Sequence, residues 1–337
     1  MIVNGLGSEF RDDGRRLKPG PVGLPSELLR SLNRLDAWRA TLSVGLTIGI
    51  TAGLIAAALL WWRWYVILPA LILIATRQQA FFVLAHDAAH YRLYETRWLN
   101  DVVGRFCGTI VGISMPAYRI VHRLHHNHLY EKQDPDTPIH GGYPRGRLYL
   151  AKKLLKDVFG LTAPKTYRYF FGAPAQNRDL SDPSRPLDDT SPALRQTALR
   201  DRWIVAGFHI AAPIGAWAGG YLLEYLVLWA LPLVTFLQPL LRFRAICEHG
   251  AVADYGSALT AARTNTGPAW VRWLVFPHHV NFHVEHHLYP AIPHYNLPRC
   301  HREMEARGLL EGAEIRSFWS TAKLVFADPP ARATAIS

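Results

Sequence analysis

Residues 41–65 read TLSVGLTIGITAGLIAAALLWWRWY, an apolar run that ends in a cluster of tryptophans. The stretch 41–62 is long enough to cross a bilayer as a helix, which needs about 20 residues. Tryptophans of the kind that surround Arg63 are enriched at the lipid–water interface. The apolar sequence resumes at 65–85. The two stretches therefore predict a transmembrane helical hairpin with a short turn at Arg63.

A second apolar block with the same organisation lies later in the chain. Residues 203–221 and 225–241 flank Glu224 and predict a second hairpin. The intervening run 99–115 contains charged residues, and we interpret it as an interfacial segment rather than a span. The predicted fold class is an all-α polytopic membrane protein with two transmembrane helical hairpins, hence four spans, capped by a helical cytoplasmic domain.

The basic residues predict the orientation of these spans. Of 37 Lys and Arg, 35 lie in residues 1–40, 86–202 and 242–337. By the positive-inside rule these three segments face the cytoplasm. Arginine outnumbers lysine 30 to 7, a bias typical of GC-rich bacterial genomes. We therefore expect a multi-pass protein of a bacterial inner membrane. Its predicted parts are a cytoplasmic N-terminal segment 1–40, a membrane domain 41–305 and a cytoplasmic tail 306–337.

The overall composition limits the classes of molecule that the protein is expected to bind. A net charge of +11 is compatible with nucleic acid, anionic lipid or an acidic protein. The two apolar blocks favour lipid, and we expect no nucleic-acid partner. The three cysteines, Cys107, Cys247 and Cys300, are far apart and form no C-x-x-C pair. This spacing argues against a disulfide framework or a thiolate zinc site.

Eight of the 16 histidines fall into three clusters, HDAAH at 86–90, HRLHH at 122–126 and HVEHH at 283–287. Spacings of three and four residues put the rings on one face of a helix. Imidazole is a ligand that suits iron, zinc, copper and nickel. Eight imidazoles exceed the needs of one ion and match those of two. The clusters predict a dimetal site held by His86, His90, His122, His125, His126, His283, His286 and His287.

The three clusters, in this order, resemble the histidine boxes of the membrane fatty acid desaturase superfamily. The flanking sequences HRLHHNHLYEKQDPDTP at 122–138 and NFHVEHHLYPAIPHYNLP at 281–298 resemble it as well. The resemblance covers about residues 40–305. It implies a non-haem centre of two iron ions, with O2 as co-substrate, that desaturates a fatty acyl chain. It also implies a ninth ligand, matched by His249, with Asn281 as a candidate neighbour of that ligand.

Carboxylates beside the histidines are candidates for a supporting role. Asp87, Glu248 and Glu285 lie inside or next to the clusters, and such groups orient ligand imidazoles and raise their basicity. The alternative is that they are ordinary surface or helix-capping acids. A buried carboxylate without a partner is costly, which favours the supporting role. Asp134 and Asp136 are expected to organise the turn that follows the second cluster.

Two other functions remain open from the sequence. A hydroxylase or ketolase of a lipid, sterol or carotenoid fits the same scaffold, because its outcome differs only in what happens after the first hydrogen is removed. A histidine-rich metal transporter is a more remote alternative, since a transporter places its ligands along a path within the membrane. The spans predicted here hold almost no such ligands.

The electron donor is expected to be a separate protein. The chain has too few cysteines for an iron–sulfur cluster, which takes four thiolates. Segment 86–202 carries 18 Lys and Arg against 12 Asp and Glu. A basic surface attracts an acidic partner. We therefore expect a ferredoxin, with its reductase, to dock there, and Lys152, Lys153 and Lys156 are the candidate contact residues.

Overall fold

The computed structural model describes residues 23–131, 134–172, 192–252 and 254–329. Within these ranges the chain is mostly helical. The first half comprises α1 Ser26–Asn33, α2 Ala37–Leu60, α3 Trp64–Ala89, α4 Arg97–Thr109, α5 Met115–Asn127, α6 Thr137–His140, α7 Arg147–Val158 and α8 Ala163–Gly172.

The second half of the chain contains further α-helices, a π-helix, two 3-10 helices and a small sheet. Its helices are α9 Pro192–Ala218, α10 Leu222–Tyr225, the π-helix Leu226–Ala230, α11 Leu231–Val234, α12 Leu237–His249, α13 Ala269–Val275, α14 His283–Leu288, α15 Leu297–Glu305 and α16 Phe318–Val325. Two short 3-10 helices lie at Pro277–His279 and His294–Asn296.

Three helical segments are long and apolar enough to cross a membrane: Ala37–Leu60, Trp64–Ala89 and Leu222–His249. The first two join through Trp61–Arg63 and pack on one another. Both the second and third segments extend beyond their predicted ends, 85 and 241. Most of the added residues are buried, and the two helices carry His86 and His249 in their last turns.

The predicted third span, 203–221, falls on α9, which is not among these three segments. The first turns of α9 are polar, and only the part after Arg202 is apolar. The four-span topology therefore remains a prediction. The run 99–115 forms α4 and the turn after it. Trp98, Val102 and Phe106 are exposed at four-residue spacing on α4, as expected for a helix at a membrane interface.

A parallel two-stranded sheet pairs β1 Thr264–Thr266 with β2 Ile315–Ser317. The sheet lies behind α14, where it fixes the chain on either side of the third histidine cluster. Its strands are too short to give a hydrophobic period, and the all-α prediction missed them. They add little to a fold that is otherwise helical.

The largest apolar cluster forms where α3 meets α4 and α5. Phe81, Leu84 and Met115 are among its fully buried members. A second cluster, around Leu32, Val284 and Cys300, joins α1 to α14 and α15. The two clusters position the histidine-bearing ends of α3, α5 and α14 against each other.

Candidate dimetal site

Four helices deliver the nine predicted ligand histidines to one place. His86 and His90 end α3, the second cluster occupies the last turns of α5, His249 ends α12, and the third cluster forms α14. Because residues three and four apart share a helix face, each helix presents its rings to the others. The rings are buried or nearly so.

The first histidine group comprises His86, His90, His122 and His286. One ring nitrogen of each lies within 4.8 Å of those of the others. The Nε2 atoms of His86 and His286 are 3.1 Å apart. The Nε2 atom of His90 is buried with no hydrogen-bond partner among the described residues. Nitrogen lone pairs that converge in this way suit a cation, since few protons can be placed between them.

The second histidine group comprises His125, His249, His283 and His287, again with one nitrogen of each within 4.8 Å of the others. The Nε2 atom of His249 lies 3.2 Å from that of His125 and 2.8 Å from that of His283. The Nε2 atom of His287 is 3.2 Å from that of His283. The ring implied only by the family resemblance, His249, therefore lies at the centre of this group.

The ninth histidine, His126, lies between the two groups. Its Nε2 atom is 3.0 Å from that of His122 and 3.1 Å from that of His286, both in the first group. Its ring also stacks on His287 of the second group, with centroids 4.2 Å apart. The structure therefore brings all nine predicted residues together, as four, four and one between them.

Burial keeps most of these rings neutral. It lowers the pKa well below the ordinary value for five histidines outside the membrane segments, and neighbouring rings lower it further; these are His122, His126, His283, His286 and His287. A neutral imidazole has a free lone pair, which is the form that binds a metal ion. The donor set therefore fits two ions of the kind that imidazole prefers.

Asp87, one of the predicted supporting residues, contacts the predicted ligand His86. Its Oδ1 atom is 3.3 Å from Nδ1 of His86. Its other oxygen accepts hydrogen bonds from His294, from the backbone N–H at 3.1 Å and from Nδ1 at 2.7 Å. The sequence analysis did not select His294. It follows the third cluster by seven residues, and no local spacing links it to Asp87.

The other predicted supporting residues have different partners. Glu285 accepts a hydrogen bond from Thr264 at 2.5 Å and pairs with His301, so it ties α14 to β1 and α15. Asn281 donates to the carbonyl of Asn265 at 3.0 Å. Among the described residues, the hydrogen bonds of Glu285 and Asn281 therefore go to other partners than the nine predicted histidines. On helix α14, Glu285 is adjacent in sequence to a ligand but points away from the ligand face, because neighbouring residues do not share a face.

Glu248 has an intermediate position. It is buried and pairs with Arg244 at 3.3 Å. Its nearer approach to the site is a distance of 3.9 Å to Nε2 of His283, which is too long for a hydrogen bond. Glu248 therefore makes no hydrogen bond that would orient the ring of His283. It lines a cavity beside the histidines instead.

Asp134 has a larger role than the turn expected for it. Its Oδ1 atom lies 3.0 Å from Nδ1 of His125, in the second histidine group. Burial lowers the pKa of His125, but the carboxylates of Asp134, Asp136 and Glu248 together raise it, and the net shift is upward. His140, with its Nε2 atom 3.5 Å from Asp134, completes a cluster that the sequence analysis did not identify. Its position shortly after the second cluster was the available signal.

A cavity of about 400 Å³ opens beside both histidine groups. Its wall includes Phe82, Tyr118, Tyr169 and Glu248. Tyr118 stacks on His122 at a centroid distance of 5.1 Å and hydrogen-bonds its Nδ1 at 3.2 Å. Lys153 and Lys165 also line the cavity. The cavity thus combines aromatic walls with polar groups and reaches the histidines, an arrangement that can bring a hydrocarbon chain to a metal site.

Buried histidines that can hold two metal ions, on helices able to enter a membrane, define a membrane-associated metal oxidoreductase. The family model for fatty acid desaturases matches residues 62–319. The chain therefore belongs to the fatty acid desaturase family.

Individual relatives agree with this assignment. An sn-1 oleoyl-lipid 12-desaturase of Anabaena variabilis is 26% identical over 333 residues, covering 92% of this chain and 88% of that protein. A dihydrorhizobitoxine desaturase of Bradyrhizobium elkanii is 27% identical over 256 residues, covering 71% and 68%. An sn-1 acyl-lipid omega-3 desaturase (ferredoxin) of a Nostoc species is 26% identical over 234 residues, covering 65% and 61%. These names favour desaturation over hydroxylation, ketolation or metal transport.

Proposed function

We propose that this enzyme desaturates the acyl chain of a membrane lipid, with O2 as the oxidant, at two iron ions held by the nine histidines. The observation that carries the proposal is the pair of four-histidine groups beside one cavity. The lipid-linked substrate is supported by the relatives whose names specify acyl-lipid substrates. We also propose that the protein has four spans in a bacterial inner membrane and that the histidine site lies on the cytoplasmic side.

The ligand assignment follows from the two groups. His86, His90, His122 and His286 would hold one ion, and His125, His249, His283 and His287 the other. His126 would complete the first site, because its Nε2 atom lies close to two nitrogens of that group. When bound, iron together with O2 supplies the oxidising power that an unactivated C–H bond requires.

The protein's own side chains position the substrate and exclude water. Phe82 and Tyr118 are nearly fully buried, and their rings meet at 4.9 Å on the cavity wall. This aromatic part of the wall would contact a hydrocarbon chain without hydrogen bonds, so its shape would help to place the reacting carbons. Desaturation removes two hydrogen atoms from adjacent carbons. With two more electrons and two protons, O2 then becomes two molecules of water.

Those two electrons must come from outside the chain, and we propose a ferredoxin as their donor. One relative carries ferredoxin in its name. Lys152, Lys153 and Lys156 lie on α7, and Lys153 also lines the cavity near the histidines. An acidic donor at this helix would be steered by opposite charge, and its encounter rate would fall with added salt.

Expression in a host that lacks polyunsaturated lipids tests the proposal. Mass spectrometry of the host's lipids should show acyl chains lighter by two hydrogen atoms, whereas addition of one oxygen atom would indicate a hydroxylase instead. The purified enzyme should contain two iron ions per chain. Its turnover with ferredoxin and reductase should decline along a salt series. An active enzyme whose turnover did not respond to salt would contradict the proposed docking.

A further inference from the structure

A second cavity, of about 650 Å³, lies between α9 and the segment Leu226–Val234, away from the histidines. We call it the α9 groove. Its walls come from the loop before α5, from α8, from α9 and from the π-helix with α11. The volume is in the range of ordinary ligand pockets.

The groove runs along the helix axis of α9. Its lining positions on α9 are Arg202, Val205, Ala206, His209 and Pro213. At 100° per residue these positions fall within about 100° of the helix circumference, so they form one stripe. The stripe is about 16 Å long at 1.5 Å per residue. A long, narrow groove parallel to a helix fits an extended acyl chain better than a compact ligand.

Away from the arginine end of the groove, the polar side chains of Ser114, Tyr167 and His209 already have partners within the protein. His209 lies 2.8 Å from a backbone carbonyl at the end of α4, and Ser114 donates to Asp201 at 2.8 Å. The hydroxyl of Tyr167 donates to the carbonyl of Leu233 at 3.1 Å. The surface left for a ligand is therefore hydrocarbon, which again favours an acyl chain.

The end of the groove at the polar turns of α9 is basic. Arg202 stacks over Phe171 and Trp203, with 5.1 and 5.4 Å from its guanidinium carbon to the ring centroids. Arg168, which is exposed, lines the same end. The Nε atom of Arg202 is buried without a hydrogen-bond partner among the described residues. Arginine and tryptophan at the start of an apolar helix segment are typical of the headgroup region, where arginine pairs with phosphate.

One residue connects the groove to the metal-site cavity. Phe170 lines both, and it is the single residue common to the two cavities within the described parts of the chain. Its ring lies 6.3 Å from those of Phe82 and Tyr118, which form the wall beside the histidines. The π-helix at Leu226–Ala230 lies on the far wall of the groove, and such interruptions recur at functional sites.

We propose that the α9 groove binds an acyl chain of an anionic glycerolipid, with its phosphate at Arg168 and Arg202, and that Phe170 separates this chain from the metal site. The second half of this proposal rests on the proposed function. The phosphate gives the groove a definite direction, because the chain starts at the interface and extends into the membrane along α9. A chain that shifts past the ring of Phe170 enters the cavity beside the histidines.

Photolabelling tests the groove without any need for turnover. The purified protein is placed in phosphatidylcholine discs that contain a trace of phosphatidylglycerol with a diazirine on its acyl chain. Labelled peptides should include residues 205–213 and 226–234. Ala206→Trp, which fills the groove, should reduce this labelling several-fold. Ile204→Trp is the matched control, because Ile204 lies on the opposite, exposed face of α9 and should leave it unchanged.

The charged end is tested by the same reagent. The double variant Arg168→Gln with Arg202→Gln should weaken labelling by phosphatidylglycerol and leave labelling by a diazirine diacylglycerol unchanged. Labelling that is equal in Ala206→Trp and Ile204→Trp, or that maps outside the groove, would overturn the lipid site. Equal loss with both reagents in the double variant would overturn the phosphate contact.

The role of Phe170 is tested in cells by the position of the double bond. Phe170→Leu should change the position of the double bond in the acyl product. The smaller side chain alters where the acyl chain passes from the α9 groove into the cavity beside the histidines. Phe159→Leu, at an exposed position on the end of α7, should give the wild-type distribution. An unchanged pattern in Phe170→Leu would refute the separating role. A wild-type enzyme that made no unsaturated product would refute the proposed function, and the labelling result would still stand.

Discussion

The two histidine groups can be compared through the aspartate that contacts each of them. In the first group, Nδ1 of His86 lies 3.3 Å from Asp87. The far oxygen of Asp87 is held by two hydrogen bonds from His294, and Nε2 of His294 reaches the hydroxyl of Ser43 on α2 at 2.9 Å. This support joins segments far apart in the chain.

In the second group the corresponding aspartate is held locally. Nδ1 of His125 lies 3.0 Å from Asp134. Asp134 accepts hydrogen bonds from the backbone N–H groups of Tyr130 at 3.1 Å and of Asp136 at 2.9 Å. His140 is also nearby, at 3.5 Å, but neither of its ring nitrogens makes a hydrogen bond among the described residues.

The difference shows two ways of fixing a ligand ring. An aspartate at Nδ1 sets the tautomer, so that Nε2 keeps its lone pair for a metal ion. In the first group, the position of this aspartate is fixed by tertiary packing of α2 and α3 against the chain after α14. In the second group, the position of the aspartate is fixed by backbone N–H groups of the loop after α5. Disturbing the fold at a distance should therefore affect the first group more, and disturbing the loop should affect the second.

The largest expected effect is the loss of one ligand from either group. His286→Ala and His287→Ala should each abolish desaturation and lower the iron content, because the two groups share one site and neither ion suffices alone. Metal analysis and lipid profiling of membranes from matched expression levels would measure this. His128→Ala is the control, since His128 pairs with Glu131 outside the groups. Activity retained by only one of the two variants would break the proposed equivalence of the groups.

The next effect concerns the aspartates themselves. Asp87→Asn and Asp134→Asn should each reduce turnover by about 10- to 100-fold, the range found for residues that orient metal ligands. An amide can still hydrogen-bond the ring but cannot stabilise it electrostatically. Turnover under limiting iron is the measurement, with the exposed Asp254→Asn as the control. A normal rate in Asp134→Asn would show that the second group does not depend on this carboxylate.

The histidine clusters could be predicted from the sequence because their signal is local. Spacings of three and four residues on a helix fix which rings share a face, whatever the rest of the chain does. The position of His249 came only from the family resemblance, and the structure places it in the second group. The first hairpin could likewise be predicted from apolar length, because that property needs no tertiary information.

Of the outer residues, adjacency to a cluster selected Asp87, which contacts His86, but it did not select the others that contact the histidines. Adjacency to a cluster suggested Glu285, but on a helix the neighbouring residue faces elsewhere and binds Thr264. Asp134 and His294 lie outside the clusters, and only the folded chain brings them to His125 and Asp87. The strands β1 and β2 were missed because three residues show no period.

The smallest expected effect tests the outermost residues of the comparison. His294→Gln should lower turnover by about tenfold, the low end of the range for such supporting residues, because the glutamine amide lies near the position of Nε2 and Asp87 loses the donor at Nδ1. His140→Gln should cost less, since His140 makes no hydrogen bond to Asp134. The iron affinity of the purified variants separates support of the metal site from general damage. His294→Asn, whose amide donor lies near the position of Nδ1, should recover part of the loss. If His140→Gln were the more harmful change, the second group would depend on the tertiary contact rather than on its loop, and the contrast between the groups would be reversed.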